Sequence, residues 1–444
     1  MTNSFTMIWH LIKYWITFFL PAFYKRIQGK NTERLSIKGP AIIAMNHPNA
    51  FTDPILFSYL IYPARTHYLA RGDAFKPGLI AWLLERIGIV PIYRMQDGGK
   101  EGLKKNDEAY RRVNKLLKKN SKIMVFAEGL CVQERRLRPL KKGVARMIFG
   151  AYEALNNDQL VVYPVGVNYD APDKFRSNVF YNVGEPILVK DFSLLYNENP
   201  TKAYNVFLQL LSAKMKELIT HIDNRNYDQV VYQIECLCKK DWIKNQRLNY
   251  KNLEHDFMVT KQITEKVNTA VINNIEAVNQ FKIKATDYFE ELNQHQLEDS
   301  IIRLHQTKSF TFYHLTFRFI LLLAGLPLYL IGLLGNYAPL VLTHKLTKKI
   351  AKTKEFYSSF AIGFAMILFS ANYILWFNIL YAFSPSIIWP MLLCLMLIFC
   401  GWFCLYYYHF KSKTPGIIRA FKNKRLLNQL SEKRTTLIDF INKF

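Results

Sequence analysis

The chain has 444 residues, enough for two or three domains with a sizeable core. Half of its residues are hydrophobic and 15% are aromatic, which excludes a disordered or fibrous protein. Its 59 Lys and Arg residues against 34 Asp and Glu give a formal net charge of +25, so we expect an anionic partner, either nucleic acid or an anionic membrane face.

The first two predicted segments are an anchor and a sheet domain. Residues 1–30 predict an interfacial anchor helix, because an aromatic, apolar stretch is interrupted by His10 and Lys13 and lacks a small-residue cleavage site. Residues 31–200 alternate between β-branched runs and helix-like stretches, which indicates an α/β domain with a mostly parallel sheet flanked by helices. The predicted strands are Ala41–Met45, Gly88–Ile92, Lys122–Phe126 and Leu160–Val167, and the predicted helices are Pro54–Tyr62, Leu79–Ile87, Asn106–Lys119 and Val144–Leu155.

The second half of the chain predicts helices throughout. No Gly or Pro occurs from Thr201 to Ala324, so residues 201–310 predict a segment of several long helices. An α-helical membrane domain is predicted over residues 311–410, from three runs that contain no Asp, Glu, Lys or Arg. The runs are Phe319–Leu342, Phe360–Phe383 and Ser386–Tyr408. Residues 411–444 carry apolar residues at helical spacing among nine Lys or Arg, which predicts a basic amphipathic tail that contacts anionic lipid.

The arrangement of the three runs in a membrane follows from their connections. Only two residues separate the second run from the third, so residues 360–408 predict a helical hairpin. The Lys-rich stretch His344–Ser358 and the basic tail place both outer ends of that hairpin in the cytoplasm. For residues 319–342 we expect a re-entrant or interfacial pair of short helices, with a full span as the alternative, because Pro and Gly interrupt the run. The interrupting residues are Pro327, Gly332, Gly335 and Pro339. The expectation is a multi-pass protein of the cell membrane whose sheet domain faces the cytoplasm.

The clearest chemical signal is a His–Asp pair in the stretch Ala44–Pro54. His47 follows a predicted strand, and Asp53 stands just before Pro54 at the predicted start of a helix. Across such a loop the carboxylate can accept from Nδ1–H of the imidazole and leave Nε2 as a base. A capped loop with a satisfied histidine is the alternative for this pair taken alone.

Further functional residue types follow the other predicted strands. Arg94 comes after one strand, Glu128 and Gly129 end the next, and Tyr163–Val167 is a strand broken by Pro. Basic residues follow Gly129 at positions Arg135, Arg136, Arg138, Lys141 and Lys142. Because the carboxyl ends of parallel strands converge on one crevice, these groups should meet the His–Asp pair. The His–Asp pair and the basic residues together are suited to transferring a group to a hydroxyl of a phosphorylated substrate. The sequence shows no group of residues spaced as metal ligands.

Four sequence blocks follow one another along the chain: the His47–Asp53 stretch, the strand that ends before Arg94, the strand that ends in Glu128-Gly129, and Tyr163–Val167. In this order they resemble the glycerolipid acyltransferase family typified by lysophosphatidate acyltransferase (PlsC-like), over about residues 31–190. The sequence departs from the family pattern twice. Five residues separate His47 from Asp53 instead of four (HxxxxxD), which is similar to a branch of glycerol-phosphate acyltransferases. Ala127 replaces the customary Pro, and Leu130-Cys131 replaces the Thr-Arg that carries the phosphate-binding Arg of the third block.

The resemblance implies a membrane-bound O-acyltransferase that acylates glycerol 3-phosphate or 1-acylglycerol 3-phosphate in phosphatidic acid biosynthesis. His47 is the implied base, Asp53 holds its tautomer, and acyl-CoA or acyl-carrier protein is the donor, with no cofactor. The implied substrate-binding residues are Asn46, Arg94, Glu128, Gly129, Arg136, Arg138 and Lys141. The alternatives are an acyltransferase for another acceptor, such as a lysophospholipid or an amino-acid lipid, and a catalytically inactive lipid-binding membrane scaffold. Nucleic-acid binding is not expected, since no recognition motif accompanies the positive charge.

Overall fold

The computed structural model describes residues 14–61, 66–72, 78, 88–93, 95–307, 312–384 and 386–443. The chain forms two compact units. Unit 1 comprises Met1–His221 together with Ala351–Ile362, and unit 2 comprises Ile222–Ile350 together with Gly363–Phe444. Unit 1 therefore contains residues 31–200, over which the sheet domain is predicted, together with flanking residues and a second segment that is distant in the sequence.

Unit 1 is built on a mostly parallel sheet. Its strands are β1 (Arg26–Lys30), β2 (Ala41–Met45), β3 (Thr66–Arg71), β4 (Ile89–Ile92), β5 (Lys122–Phe126), β6 (Val161–Tyr169), β7 (Asn178–Val183) and β8 (Ile187–Leu188). They lie in the order β1-β7-β6-β2-β5-β3-β4, and β8 pairs with β6. The pairs β6–β7 and β6–β8 are antiparallel, and the other pairs are parallel. The predicted sheet is confirmed, and each predicted strand is found within two residues of its expected ends.

Helices flank this sheet. They are α1 (Tyr14–Phe23), α2 (Thr52–Leu60), α3 (Met95–Leu117), α4 (Lys142–Leu155), α5 (Ser193–Glu198) and α6 (Pro200–Glu217). In the predicted anchor, α1 buries Leu20 and exposes Tyr14 and Phe18, and residues 1–13 lie outside the described part of the chain. The predicted helix Leu79–Ile87 also lies outside the described residues.

The core of unit 1 determines where the chain can place functional groups. All five residues of β2 are buried, because β5 and β6 flank it and two of its side chains, Ile42 and Ala44, lie in a core cluster with residues of the flanking helices. Apolar side chains of β2 and β5 pack with residues of α3, α4 and α6 in one continuous cluster. The register aligns Met45 with Phe126 on one side and with Val165 on the other. Residues that follow β2, β5 and β6 therefore meet at the carboxyl edge of the sheet.

Unit 2 is helical. Its helices are α7 (Asp228–Asn245), α8 (Leu253–Asn273), α9 (Ile275–Gln294), α10 (Asp299–Thr307), α11 (Phe312–Ile350), α12 (Lys354–Ala382, whose first turns belong to unit 1), α13 (Ile388–Lys422) and α14 (Lys424–Asn442). The predicted long helices after residue 201 are confirmed. The basic tail forms α14, and the apolar stripe of this helix is buried with α7, α9 and α10.

Three of these helices are long and apolar enough to cross a membrane: Leu315–Ile350, Lys354–Ala382 and Ile388–Lys422. The expected break of the first run into two short helices is wrong, because α11 is continuous through both of its prolines. Its glycines serve as contact points and not as breaks. A Cβ on Gly332 would lie 2.3 Å from the Cys400 carbonyl oxygen, and one on Gly335 would lie 2.7 Å from Leu397. Small residues at these points let α11 and α13 approach closely.

Candidate active site

The loop between β2 and α2 brings together the His and Asp identified in the sequence. Nδ1 of His47 lies 2.8 Å from Oδ2 of Asp53, which belongs to the first turn of α2. The Asn49 N–H donates to the same Asp53 oxygen at 2.8 Å, and the Asp53 N–H donates to the Asn49 carbonyl at 2.9 Å. These two bonds close the loop into a tight turn, and the turn holds the carboxylate beside the imidazole.

The Asp53 carboxylate is fully buried and accepts from three donors. In addition to the His47 and Asn49 bonds, the Tyr169 hydroxyl donates to Oδ1 at 2.6 Å. Burial raises the pKa of Asp53, and the hydrogen bonds from His47, Tyr169 and Asn49 oppose that rise. The Tyr181 hydroxyl also donates to the Asp53 main-chain carbonyl at 3.0 Å, which fixes the start of α2. Three donors on two oxygens suit an ionised carboxylate that orients the ring.

The His47 ring is positioned on a second side by Phe126, the last residue of β5. The two rings stack with centroids 3.6 Å apart and an angle of 14° between their planes. With Nδ1–H directed at Asp53, the lone pair of the neutral ring lies on Nε2. The His47 side chain keeps 15% of its surface exposed, whereas Asp53 keeps none. An oriented imidazole of this kind can accept a proton from a hydroxyl.

Asn46, which the sequence suggested as a substrate-binding residue, ties the loop to the sheet. Its Nδ2 donates to the Val167 carbonyl at 3.0 Å, and its Oδ1 accepts from the Val167 N–H at 2.8 Å. Only 7% of the residue is exposed. The amide is thus engaged by the backbone of β6, and its role in this structure is to hold the residue before His47 in place.

Glu128 and Gly129 lie at the carboxyl end of β5, beside the His47 loop. Glu128 is buried, and its Oε2 accepts from the Arg138 N–H at 2.9 Å. Burial raises the pKa of Glu128 to about 7, and the backbone N–H groups of Arg138 and His47 oppose part of that rise. Gly129 has φ of +66°, and a Cβ there would lie 3.0 Å from Cγ of Lys141. Both residues therefore shape the loop that follows β5 around the His47 loop.

The basic residues predicted to bind phosphate lie on this second loop. Glu134 pairs with two of them: its carboxylate is 2.9 Å from Nη2 of Arg138 and 3.4 Å from Nε of Arg136. Lys141 is exposed immediately before α4. The loop reaches the His47 loop through the Val132 N–H, which donates to the His47 carbonyl at 3.1 Å. The structure thus brings basic side chains onto a loop that contacts the catalytic candidate. Arg94 lies outside the described residues.

Sequence reasoning missed several groups that support the pair. Asn49 lies within the recognised motif, and its position in a tight turn was a usable signal. Tyr169 is 116 residues from Asp53, and only its place at the carboxyl end of a strand could have suggested it. The segment Ala351–Ile362 offered no local signal, yet the Ser359 hydroxyl hydrogen bonds with that of Thr52 at 2.9 Å, directly beside Asp53.

Comparison with known proteins points to one chemistry. Residues 26–168 match the protein-family model described as Acyltransferase. Glycerol-3-phosphate O-acyltransferase 1 of Saccharomyces cerevisiae is 33% identical over 109 residues, which are 24% of this chain and 14% of the yeast protein. The chloroplastic 1-acyl-sn-glycerol-3-phosphate acyltransferase BAT2 of Brassica napus is 28% identical over 135 residues, which are 30% of this chain and 36% of the plant protein. The matches thus span well under half of either relative.

Similarity to solved structures was also found. The crystal structure of the 1-acyl-sn-glycerophosphate acyltransferase PlsC from Thermotoga maritima aligns with a TM-score of 0.36 and 16% sequence identity. The alignment covers 49% of this chain and 81% of that protein.

Proposed function

We propose that this chain is a membrane-bound O-acyltransferase that acylates glycerol 3-phosphate or 1-acylglycerol 3-phosphate. The match of residues 26–168 to the Acyltransferase family model and the names of the yeast and plant relatives support this proposal. The acyl group comes from a thioester of coenzyme A or acyl-carrier protein. The observation that carries the proposal is the His47–Asp53 pair at 2.8 Å, set at the edge of the sheet where a basic loop also ends. The acceptors are those named for the yeast and plant relatives.

The reaction needs one base and a place for the acceptor phosphate. Nε2 of His47 takes the proton of the acceptor hydroxyl as its oxygen attacks the thioester carbonyl carbon. The tetrahedral intermediate collapses, the C–S bond breaks, and the leaving thiolate takes the proton back from the imidazolium, so that an ester and a free thiol result. Asp53 stabilises the imidazolium between these steps, since its carboxylate faces Nδ1–H. No acyl-enzyme forms.

The acceptor phosphate needs cationic groups, and we assign Arg138 and Lys141 of the loop after β5 to it. Arg136 supports the same patch through its shared partner Glu134. Arg94, which lies outside the described residues, is assigned to the phosphate from the sequence alone. Guanidinium groups bind phosphate oxygens in pairs, which fixes the acceptor as well as attracting it. Glu128 does not touch the phosphate in this scheme. It holds the basic loop against the His47 loop through the Arg138 N–H.

Product analysis tests the proposal. The full chain, purified into nanodiscs, is offered glycerol 3-phosphate or 1-acylglycerol 3-phosphate with labelled acyl-CoA or acyl-carrier protein. We expect one acceptor to be acylated and His47→Ala to abolish turnover. The matched control is His295→Ala, which changes an exposed histidine of unit 2 and should leave the rate unchanged. Turnover retained by a folded His47→Ala protein, or no acylation of either acceptor by the folded native chain, would contradict the proposal.

A further inference from the structure

The short segment between α11 and α12 is part of unit 1. Residues Ala351–Ile362 join two apolar helices, yet they pack with Met1–His221. Ser358 is completely buried and its hydroxyl donates to the Pro172 carbonyl at 2.5 Å. Gln133 Nε2 donates to the Lys354 carbonyl at 3.0 Å, and the Phe356 ring meets Phe51 edge-on at 5.6 Å. The chain therefore leaves unit 1 at His221 and returns to it at Ala351.

A chain that leaves a folded unit and returns to it crosses a bilayer an even number of times in between. Among the described residues from Ile222 to Ile350, α11 is the one helix long and apolar enough to cross. One helix cannot supply an even number of crossings other than zero. Both ends of α11 therefore lie on the side of the membrane that carries unit 1.

The chain also leaves the helical core of unit 2 and returns to it. The α14 helix follows the three apolar helices, and α7 and α10 precede them, yet they share a core. Arg434 of α14 is 2% exposed, and it donates to Oδ1 of Asp299 at 2.9 Å and to the Leu237 carbonyl at 2.6 Å. The chain between α10 and α14 therefore also crosses an even number of times. Since α11 does not cross, either both α12 and α13 cross the membrane once or neither of them does.

The packing of α13 decides between these two possibilities. Arg318 of α11 hydrogen bonds with Thr414 at 2.8 Å, and Asn336 hydrogen bonds with the Leu397 carbonyl at 3.2 Å. The two helices thus run antiparallel and in contact over about 27 Å, which is 18 residues at about 1.5 Å each. A helix that lies along α11 over this distance shares its inclination to the membrane. If α11 does not cross, neither does α13, and α12 alone cannot.

We propose that α11, α12 and α13 form a monotopic module, embedded in one leaflet of the bilayer on the side of unit 1, with no crossing. The apolar part of α11, Leu315–Ile350, is about 54 Å long, and a continuous helix of that length cannot turn back on itself. It must lie nearly parallel to the surface. A leaflet offers about 15 Å of hydrocarbon, half of the full core, and a helix with its side chains is about 10–12 Å wide. One layer of helices therefore fits.

The surface of this module suits lipid. Large apolar side chains are exposed along it, among them Leu323 at 74% and Leu334 at 77%. Basic residues surround the turn from α11 to α12, where lipid headgroups would meet it. They are Lys345, Lys348, Lys349 and Lys352. This in-plane arrangement differs from the multi-pass one expected from length and hydropathy, and the measurements below distinguish the two. It holds whether or not the chain transfers acyl groups.

Depth measurements test the module directly. Spin labels at Leu323→Cys and Leu334→Cys, in a chain whose native cysteines are replaced by serine, report depth in vesicles of phosphatidylethanolamine and phosphatidylglycerol. The two positions are 11 residues apart on one helical face. An in-plane helix places both labels at depths within about 5 Å of each other, whereas a crossing helix separates them by about 16 Å. The larger separation overturns the proposal.

Side-specific labelling gives an independent measurement. Single cysteines at Lys190→Cys in unit 1, Lys352→Cys before α12 and Ser384→Cys after α12 are exposed to an impermeant maleimide in oriented membrane vesicles. The expected result is that positions 190 and 352 react from the same side, and that position 384 does not react from the other. Labelling of position 352 or 384 from the opposite side shows a crossing and refutes the inference.

Discussion

Replacing Asp53 by Asn removes one charge from the pair and leaves its shape nearly unchanged. The orientation of the new amide is fixed by its neighbours. The oxygen that accepts from Nδ1 of His47 also accepts from the Asn49 N–H, and a backbone N–H cannot face an NH₂ group. The NH₂ group must therefore take the other position, where the Tyr169 hydroxyl can rotate to accept from it. The His47 tautomer is preserved and only the negative charge is lost.

The size of the effect follows from that orientation. A hydrogen bond to a charged group contributes about 1.5–3 kcal/mol and a neutral one about 0.5–1.5 kcal/mol, a difference of about 1–2 kcal/mol. This corresponds to a roughly five- to thirtyfold fall in kcat at constant pH. In protease triads, where the exchange inverts the histidine tautomer, the loss is about 10⁴-fold. The two outcomes are far enough apart to be distinguished by initial rates of labelled acyl transfer.

Two further measurements accompany the Asp53→Asn experiment. Asp287→Asn, at an exposed position of α9, is the matched control and should leave kcat unchanged. Adding Tyr169→Phe removes the acceptor for the new NH₂ group and should lower kcat further, because that group is then buried without a partner. A loss near 10⁴-fold in folded Asp53→Asn protein would refute the reasoning, since it would show that Asn49 does not fix the amide orientation.

Three predictions concern stability. The pKa of Glu128 is raised to about 7, so the folded protein should lose on the order of 3 kcal/mol of stability as pH rises from about 4.5 to about 7 and this carboxyl ionises. Glu128→Gln should therefore flatten this part of the Tm–pH curve. An unchanged slope would contradict the prediction. Gly332→Ala should lower Tm, since a Cβ would lie 2.3 Å from a facing carbonyl, whereas Gly363→Ala, which has open space, should not; equal effects would show that the close contact is absent. Arg434→Met should lower the free energy of unfolding by about 3–5 kcal/mol, because it leaves Asp299 buried without its cation. Adding Asp299→Leu should recover most of this loss, as measured by denaturant unfolding. If nothing is recovered, the unpaired charge is not the cause.

The supporting residues divide into those that hold loops and those that face reactants. Asn46 and Glu128 are buried and bonded to backbone groups, so their polar atoms hold the two loops that carry His47 and the basic patch. Their substitution should therefore act through the positions of these loops. Arg138, which is half-buried and paired with Glu134, and Lys141, which is exposed, lie on the loop after β5, and they remain the phosphate contacts we propose.

The sheet and the pairing of His47 with Asp53 could be predicted from the sequence because both depend on local patterns. A buried parallel strand reads as a short β-branched run, and Ala41–Met45 and Lys122–Phe126 lie where that pattern put them. His47 and Asp53 are six residues apart on one loop, so their pairing needed only the turn between a strand and a helix. The convergence of strand ends then placed Glu128 nearby, as the parallel order requires.

The remaining features depend on contacts between distant parts of the chain, and only the tertiary structure decided them. Tyr169 supports Asp53 from 116 residues away, and Ser359 reaches Thr52 across 307 residues. Gly332 reads as a helix breaker by itself, but it is a contact point once α13 lies against it. Local patterns report the length and hydropathy of each helix. What the two ends of a helix pack against depends on distant parts of the chain, and no window of sequence contains that information.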